Sequence, residues 1–473
     1  MPTAPKDVSD SERVQQPGQF NSFCPALLKP GSKMQRPEYL LCSVNFTAES
    51  KKRDASHLGG ESDDSDSMAG VHKVAKMHPF FTKPGASSSA ASSFQWLKPS
   101  LGPKRTCLHG INLMPQSTPK VAAFDLDGTV IKSNHKSRSN ETALHWEWWR
   151  ATVPAKLQEL HQEGYSIVLI SNQALKQRQL EDWKKKIPLI SAALPSVPFR
   201  IFAASAKDGF RKPMPGMWDE LERIFAVDKI RIDKDASFFV GDAAGRTGDF
   251  ASTDRKWAVN IGIPFYTPEE YFLRLPSAPF SFPGFHVSSL PKLPLLDPLT
   301  ATIIPNVTGT ELVIFTGFPC LGKSSFFRRH FAPVGYAHIN QDTLGSRPKC
   351  IKATEAALKA GNSCVVDNTN RDGATRKHYL DLAKKLGIPV RCLVFTGSID
   401  LAWHNNLYRA YVHPSTESRR DILPYLAFIG FRDNYEEPQL TEGFSEIIKV
   451  NWVFEGSEEE RKRWGMWLQI DGK

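Results

Sequence analysis

A glycine-rich loop between a short apolar strand and a helical stretch limits the fold of this chain more than any other sequence feature. The strand at 312–315 leads into GFPCLGKS at 317–324, which matches the pattern G-x-x-x-x-G-K-S. A helix-like stretch follows from Ser325 onward. Such a loop turns a strand sharply into a helix, so that backbone N–H groups surround a phosphate. The motif therefore predicts a parallel α/β sheet with a nucleotide-phosphate site at one strand end.

The residues of this loop are predicted to bind ATP and Mg²⁺. Gly317 and Gly322 let backbone N–H groups approach the phosphates, and Lys323 reaches the β and γ oxygens. Ser324 places Mg²⁺, and Ser325 belongs to the same ATP-binding set at the start of the helix. We therefore expect a kinase with ATP and Mg²⁺ as cofactors.

A kinase also needs a base for the attacking hydroxyl and cations over the transferring phosphoryl group. Asp342 follows the next strand-like segment and is the candidate base, while Asp367 ends the strand CVVD and is a candidate for the nucleotide site. Either carboxylate could instead be a simple helix cap. Arg376 and Arg409 are the candidate phosphate clamps, and Arg409 falls where a lid helix would reach back over the γ-phosphate.

A second motif, far upstream, places two carboxylates at the end of a strand. The apolar strand at 121–124 leads directly into Asp125-Leu126-Asp127-Gly128-Thr129. Two negative charges separated by one residue are costly unless a cation or a transferring phosphoryl group compensates them. The alternative is a turn in which Asp caps the chain locally. The pattern favours Mg²⁺ beside a carboxylate nucleophile.

Three further polar residues follow this motif in a fixed order. Ser171 ends the strand YSIVLIS, Lys212 stands in FRKP, and Asp242 follows the strand that ends in VG. Taken singly, Ser171 could be a helix cap and Lys212 a surface lysine. Together with DLDGT, the series resembles the haloacid dehalogenase phosphatase superfamily.

The resemblance implies a role for each of these side chains. Asp125 would attack phosphorus to form an aspartyl-phosphate, and Asp127 would protonate the leaving alkoxide and then deprotonate water. Mg²⁺ would be held by Asp125, the Asp127 carbonyl and Asp242, while Ser171 and Lys212 would hydrogen-bond the phosphoryl oxygens. Only short spans separate these motifs, so we expect no large cap domain and an open site that accepts a polymer end.

The joining of the two motif sets narrows the family further. The stretches RKPMPGMW, GDAAGRTGDFASTDRKWAVNIGIPF, GYAHINQDTLGS, DNTN, HNN and EPQLTEGFSEI resemble eukaryotic polynucleotide kinase 3′-phosphatases over roughly residues 119 to 473. The resemblance implies DNA strand-break termini as substrates, removal of a 3′-phosphate, phosphorylation of a 5′-hydroxyl and action in the nucleus. Two departures stand out: the first 117 residues lack the pattern of a forkhead-associated domain, and Gln341 and Leu407 occupy positions where arginine is expected.

Composition supports a nucleic-acid partner and an intracellular setting. The 60 Lys+Arg against 50 Asp+Glu give a net charge of +10, which favours an acidic partner. The seven cysteines have no paired spacing, so we expect reduced thiols. No apolar run reaches the roughly 18 residues of a membrane span, and we expect no membrane partner and a monomer.

The fold expected from these patterns is α/β, with two parallel-sheet domains after a disordered arm. We place a mostly disordered, basic, Ser- and Pro-rich arm at 1–117 and a haloacid dehalogenase-like Rossmannoid phosphatase domain at 118–274. A Pro-rich connector at 275–306 precedes a P-loop kinase domain at 307–473. Within the arm, Lys51-Lys52-Arg53 is a candidate nuclear address, and 77–81 weakly resembles a peptide that binds a sliding clamp or other repair proteins.

Three alternatives remain open at the level of sequence. An RNA end-healing enzyme uses the same two chemistries, and only discrimination of the 2′-hydroxyl would separate it from a DNA enzyme. A fused small-molecule phosphatase and metabolite kinase is disfavoured by the open first site and the basic charge. A DNA-bound adaptor with inactive sites is disfavoured because the residues of both motifs are intact.

Overall fold

The computed structural model describes residues 93–132, 144–305, 309–412 and 420–469 of the 473-residue chain. Two sheets, each mostly parallel, organise these residues. No helix in the described ranges is both long and apolar enough to cross a membrane. The predicted α/β class with two parallel-sheet units is confirmed.

The first sheet has seven strands in the order β1-β2-β5-β4-β3-β6-β7. Its strands are β1 (Phe94–Leu101), β2 (Cys107–Asn112), β3 (Val121–Phe124), β4 (Ser166–Asn172), β5 (Phe199–Ala204), β6 (Phe238–Val240) and β7 (Phe265–Tyr266). The helices that accompany it are α1 (Val153–Gln162), α2 (Gln177–Ala192), α3 (Gly216–Val227), α4 (Thr253–Ile261) and α5 (Pro268–Leu273). Strand β2 pairs antiparallel with both of its neighbours, β1 and β5, and the other neighbouring strands of this sheet are parallel.

The second sheet has six strands in the order β10-β11-β9-β12-β13-β8, and only β8 runs antiparallel. Its strands are β8 (Leu296–Asp297), β9 (Leu312–Thr316), β10 (Ala337–Ile339), β11 (Cys364–Asp367), β12 (Val390–Thr396) and β13 (Glu446–Asn451). Its helices are α6 (Lys323–Phe326), α7 (Gln341–Leu344), α8 (Arg347–Lys359), α9 (Gly373–Leu386), α10 (Ile399–Leu407), α11 (Tyr425–Arg432) and α12 (Glu458–Trp464). The segments Phe327–Phe331 and Tyr408–Val412 continue α6 and α10 as π-helical turns.

Helices cover both faces of each sheet, which explains why the central strands are apolar without alternation. In β3, Val121 and Ala123 join one buried cluster, while Ala122 and Phe124 join the cluster on the opposite face. All four side chains are buried. Strands buried in this way carry the polar residues that follow them to one fixed edge of the sheet.

The prediction that residues 1–117 form a disordered arm is wrong for the end of that range, which contains two strands. Strands β1 and β2 form an antiparallel hairpin that extends the first sheet through β5, with Cys107 opposite Ala204. Within β1, Phe94 packs against Phe199 with ring centroids 6.2 Å apart. Because the partners of this hairpin lie about 90 residues downstream, short-range periodicity does not reveal it. Residues 1–92, including the candidate nuclear address and clamp peptide, lie outside the described residues.

The Pro-rich connector also contributes regular structure. Its residues Leu296 and Asp297 form β8, which pairs with Val450 and Lys449 of the last strand.

The C-terminal segment connects the two sheet units. In that segment the backbone of Trp467 makes two hydrogen bonds, of 2.7 and 2.8 Å, with the side-chain amide of Asn260 on α4.

Candidate functional site

The first candidate site lies at the carboxyl ends of β3, β4 and β6. Strand β3 lies between the other two, so the crevice for a ligand opens at its end. The residue that follows β3 is Asp125, Ser171 lies near the end of β4, and Asp242 comes two residues after β6. The topology therefore brings these three predicted residues to one edge of the sheet.

Lys212 is buried within this edge, with only 1% of its surface exposed. Its Nζ donates to Asp125 Oδ1 at 2.6 Å and to the Ile170 carbonyl at 2.8 Å, and it lies 2.8 Å from Asp254 Oδ1. Burial alone would lower the pKa of Lys212, but the charges of Asp125 and Asp254 outweigh it and raise this pKa. The backbone of Lys212 is held in place by the side-chain amide of Asn172. A fixed ammonium group thus faces the predicted nucleophile.

Three carboxylates gather around this ammonium group. One oxygen each from Asp125, Asp242 and Asp254 lies within 4.8 Å of the others. Burial, together with the neighbouring Asp charges, raises the pKa of Asp125 and raises that of Asp242 to about 7. One lysine cannot balance three such groups, and hard oxygen ligands suit Mg²⁺. The cluster therefore fits a divalent cation.

Sequence reasoning missed Asp254. It lies on α4 and is brought to the cluster by a hydrogen bond from the Ala243 N–H to its Oδ2, at 3.1 Å. An added Cβ at Gly241 would lie 2.4 Å from that oxygen, so only glycine allows this approach. The charged stretch TDRKW looks like a solvated helix start, and nothing local marks its aspartate as a ligand.

Asp127 and Ser171 are joined by a residue that the sequence analysis did not single out. The Gln173 side-chain Nε2 donates to Asp127 Oδ2 at 2.7 Å and to Ser171 Oγ at 2.8 Å. Ser171 and Gln173 are buried, whereas Asp127 is half-buried. The structure therefore places Ser171 beside Asp127, within the same edge as Asp125.

The second candidate site surrounds the loop after β9. Gly317 and Gly322 adopt φ of 145° and 80°, in the left-handed region that favours glycine, and an added Cβ at Gly317 would lie 2.7 Å from the Phe395 carbonyl. Cys320 also has a positive φ, of 62°. The Asn405 amide donates to the Cys320 carbonyl at 3.0 Å, which supports the loop at its bend.

Lys323 Nζ turns back onto its own loop. It donates to the carbonyls of Gly317 at 3.0 Å and Phe318 at 2.6 Å. Burial lowers the pKa of Lys323 to about 8, because the nearby charge of Asp367 only partly offsets the loss of water. A buried cation of this kind gains most from an anionic ligand that enters the loop.

Asp367 connects this loop to the neighbouring strands. Its Oδ2 accepts hydrogen bonds from Ser324 Oγ at 2.6 Å, from Asn340 Nδ2 at 3.2 Å and contacts His338 Nε2 at 2.8 Å. Burial alone would raise the pKa of Asp367, but the hydrogen bonds from His338 and Ser324 hold it below its usual value. Ser324, the predicted cation ligand, is thus in contact with Asp367, the predicted residue of the nucleotide site.

A cavity of about 500 Å³ opens beside this loop. Lys323, Ser324, Ser325, Asp367, Asp342 and Arg409 all line it. Asp342 is exposed at the start of α7, where the Asn340 side chain accepts its N–H at 2.8 Å. Arg409, on the π-helical turn after α10, donates to Cys320 Sγ at 3.3 Å. The volume suits a nucleotide-sized ligand.

The proposed clamp role of Arg376 is wrong. This arginine does not line the cavity and is only 1% exposed. Its guanidinium binds both carboxylate oxygens of Glu442, at 2.8 and 2.9 Å, and donates to the carbonyls of Asn370 and Glu436. Its position after DNTN suggested the nucleotide site, but the guanidinium faces into the fold. There the carboxylate of Glu442, 66 residues later in the chain, neutralises its charge.

We expect Arg376→Met to destabilise the second sheet and its helices by about 3 kcal/mol, because it leaves Glu442 without its partner. Urea unfolding followed by tryptophan fluorescence measures this loss. Glu442→Gln should lower stability in the same way. A clamp would behave differently: Arg376→Met would then reduce phosphate transfer at unchanged stability, and Glu442→Gln would have little effect on either quantity.

Two family models match this chain, one in each sheet unit. The family described as polynucleotide kinase 3 phosphatase matches residues 120–272, and an AAA domain family matches residues 346–422. A bifunctional polynucleotide phosphatase/kinase of Schizosaccharomyces pombe is 38% identical over 360 residues, 75% of this chain and 84% of the relative.

Two further relatives match different shares of the chain. A protein of Acanthamoeba polyphaga mimivirus, with a name of the same bifunctional type, is 32% identical over 379 residues, 73% of this chain and 87% of its own length. The polynucleotide 3′-phosphatase ZDP of Arabidopsis thaliana is 35% identical over 183 residues, 34% of this chain and 25% of its own. The chain belongs to the family of bifunctional polynucleotide phosphatase/kinases.

Proposed function

We propose that this protein prepares broken DNA strands for ligation by removing 3′-phosphates and by transferring the γ-phosphate of ATP to 5′-hydroxyls. The observation that carries the proposal is the presence, in one chain, of an aspartate–lysine site on the first sheet and a phosphate-binding loop on the second. Family membership and the names of the relatives support polynucleotide ends as the shared substrate.

In the phosphatase reaction, Asp125 is the nucleophile. Its carboxylate attacks phosphorus, the bond between phosphorus and the 3′-oxygen breaks, and Asp127 donates a proton to that oxygen. Water then attacks the aspartyl-phosphate while Asp127 takes back a proton, which releases phosphate and restores both side chains. Lys212, 2.6 Å from Asp125, binds the phosphoryl oxygens, and Ser171 lies within the same edge to do so as well.

A divalent cation, Mg²⁺ in this proposal, would be held by Asp125, Asp242 and Asp254, together with the Asp127 carbonyl. When bound, it offsets the negative charge of the phosphoryl oxygens. Asp254 is added here to the predicted ligand set because its carboxylate lies within the cluster.

In the kinase reaction, the loop at 317–324 binds the triphosphate of ATP and Lys323 moves from its own carbonyls to the β and γ oxygens. Ser324 and Asp367 would hold the Mg²⁺ that accompanies ATP. Asp342 takes the proton of the attacking 5′-hydroxyl. Arg409 approaches the γ-phosphate from the π-helical turn after α10, which lines the cavity. The exposed position of Asp342 lets the end of a long polymer reach it.

We assign the activity to DNA and the nucleus, since the net charge of +10 favours a polyanionic partner and the relatives that match most of the chain are named as polynucleotide phosphatase/kinases. Binding of a sliding clamp or other repair protein through the N-terminal arm, and a monomeric state, remain predictions.

The test is incubation of the protein with Mg²⁺, ATP and a nicked duplex that carries a 3′-phosphate and a 5′-hydroxyl. We expect both ends to be converted so that a DNA ligase seals the nick. The matched substrate has ribose at the two end nucleotides. If only the ribose substrate is healed, the protein is an RNA end-healing enzyme and the assignment to DNA is wrong.

A further inference from the structure

The side chain of Gln173 lies between two groups of the phosphatase site and touches both. Its Nε2 donates to Asp127 Oδ2 at 2.7 Å and to Ser171 Oγ at 2.8 Å, and the residue is only 5% exposed. The backbone of Gln173 is fixed as well, because its N–H donates to the Ala204 carbonyl on β5 at 2.8 Å. A buried amide held in this way keeps one orientation.

That orientation follows from the chemistry of its neighbours. An ionised carboxylate only accepts hydrogen bonds, so the amide must turn its NH₂ group, and not its oxygen, toward Asp127. The bond from Gln173 occupies Oδ2, and Oδ1 of Asp127 has no protein partner among the described residues. A proton on Oδ2 would face an N–H donor, whereas a proton on Oδ1 would not. The amide therefore directs the acid proton of Asp127 to Oδ1.

We propose that Gln173 is the positioning residue of the phosphatase reaction: it fixes the Asp127 carboxylate through Oδ2, so that Oδ1 alone exchanges protons with the 3′-oxygen and with water. The inference rests on the proposed function of this site. Gln173 itself neither gains nor loses a proton. Its amide also ties Ser171 Oγ to the same carboxylate, which couples the phosphate-binding hydroxyl to the general acid.

The test separates proton transfer from every other contribution to the rate. Two 3′-phosphorylated oligonucleotides are compared, one natural and one with sulfur as the bridging 3′-atom. The sulfur leaves as a thiolate, and because the pKa of a thiol is about 8.5 it needs no general acid, whereas the natural alkoxide requires one. Single-turnover rates are measured with enzyme in excess, so that only formation of the aspartyl-phosphate is followed.

The variants are Gln173→Met, which keeps the length of the side chain without a donor, and Gln173→Leu, which fills similar space without a donor. We expect each to slow cleavage of the natural substrate by about 50-fold, part of the roughly 100- to 10,000-fold that a positioned acid contributes, and to slow the sulfur substrate less than about threefold. Asp127→Asn should show the same selectivity with a larger loss. The ratio of the two rates within one preparation does not depend on its folded fraction.

Equal losses on both substrates would overturn the proposal, because Gln173 would then shape the site without serving the acid. Rates equal to wild type on the natural substrate would overturn it as well. If the wild-type protein releases phosphate from neither oligonucleotide, the proposed phosphatase function itself is wrong. Kinase activity of the same samples, measured on a 5′-hydroxyl oligonucleotide, reports that the chain is folded.

Discussion

Asp125→Asn should abolish 3′-phosphate removal, with a loss of at least about 10,000-fold, while 5′-phosphorylation stays at the wild-type rate. The amide cannot form the aspartyl-phosphate. The kinase site lies on the other sheet, and none of the described residues that line its cavity belongs to the carboxylate cluster. The measurement is release of phosphate from a 3′-phosphorylated oligonucleotide, alongside transfer from ATP to a 5′-hydroxyl oligonucleotide.

The fold should tolerate this change. Burial and the charges of Asp254 and Asp242 raise the pKa of Asp125 against the opposing charge of Lys212, so the carboxylate is less favourable in the folded protein than in water. A neutral amide removes that repulsion, and Lys212 keeps Asp254 as a partner at 2.8 Å. We expect the free energy of unfolding to be no lower than that of wild type. Asp235→Asn, at an exposed position of the same sheet unit, is the matched control and should leave both activities intact.

Lys323→Met should abolish the second activity alone, with a loss of about 1,000-fold in kcat/KM for ATP-dependent phosphorylation. Methionine retains the apolar length of the side chain but has no charge for the β and γ oxygens. Burial lowers the pKa of Lys323 to about 8, so the folded protein disfavours its charge. Relief of this cost offsets the loss of the two hydrogen bonds from Nζ to the loop carbonyls, and we expect little change in stability. Transfer of labelled phosphate to a 5′-hydroxyl oligonucleotide measures the loss.

Lys352→Met makes the same substitution at an exposed lysine on α8 and should change neither activity. Phosphatase activity of Lys323→Met should equal that of wild type. Retention of kinase activity by Lys323→Met would show that the loop at 317–324 is not the donor site. Loss of both activities would show that the two sites depend on one another.

The motif residues at strand ends could be predicted from the sequence because each is positioned by a strand only a few residues away. Asp125 follows β3 and Lys323 follows the loop after β9, each within a few residues of the strand that positions it. In a parallel sheet the carboxyl ends of neighbouring strands share one edge. Ser171 and Asp242 therefore had to approach Asp125 once β4 and β6 were assigned as its neighbours.

Residues whose roles depend on partners far away in the sequence could not be predicted in this way. The position of Arg376 after DNTN predicted a phosphate-binding role, yet Glu442 neutralises its charge inside the fold. Asp254 and Gln173 carry no local pattern, and each reaches its site through contacts that the folded chain creates. The β1–β2 hairpin was missed for the same reason, because its neighbour β5 comes about 90 residues later.

The sequence by itself determined the α/β class, the two phosphate-handling motifs and the strand ends that carry them, because apolar strands and glycine-rich turns act over a few residues. Tertiary structure alone decided that Asp254 completes the carboxylate cluster, that Gln173 holds Asp127 and that Arg376 is structural. The physical reason is that burial and charge pairing depend on which side chains meet in space, and side chains far apart in the chain meet only after the sheets have formed.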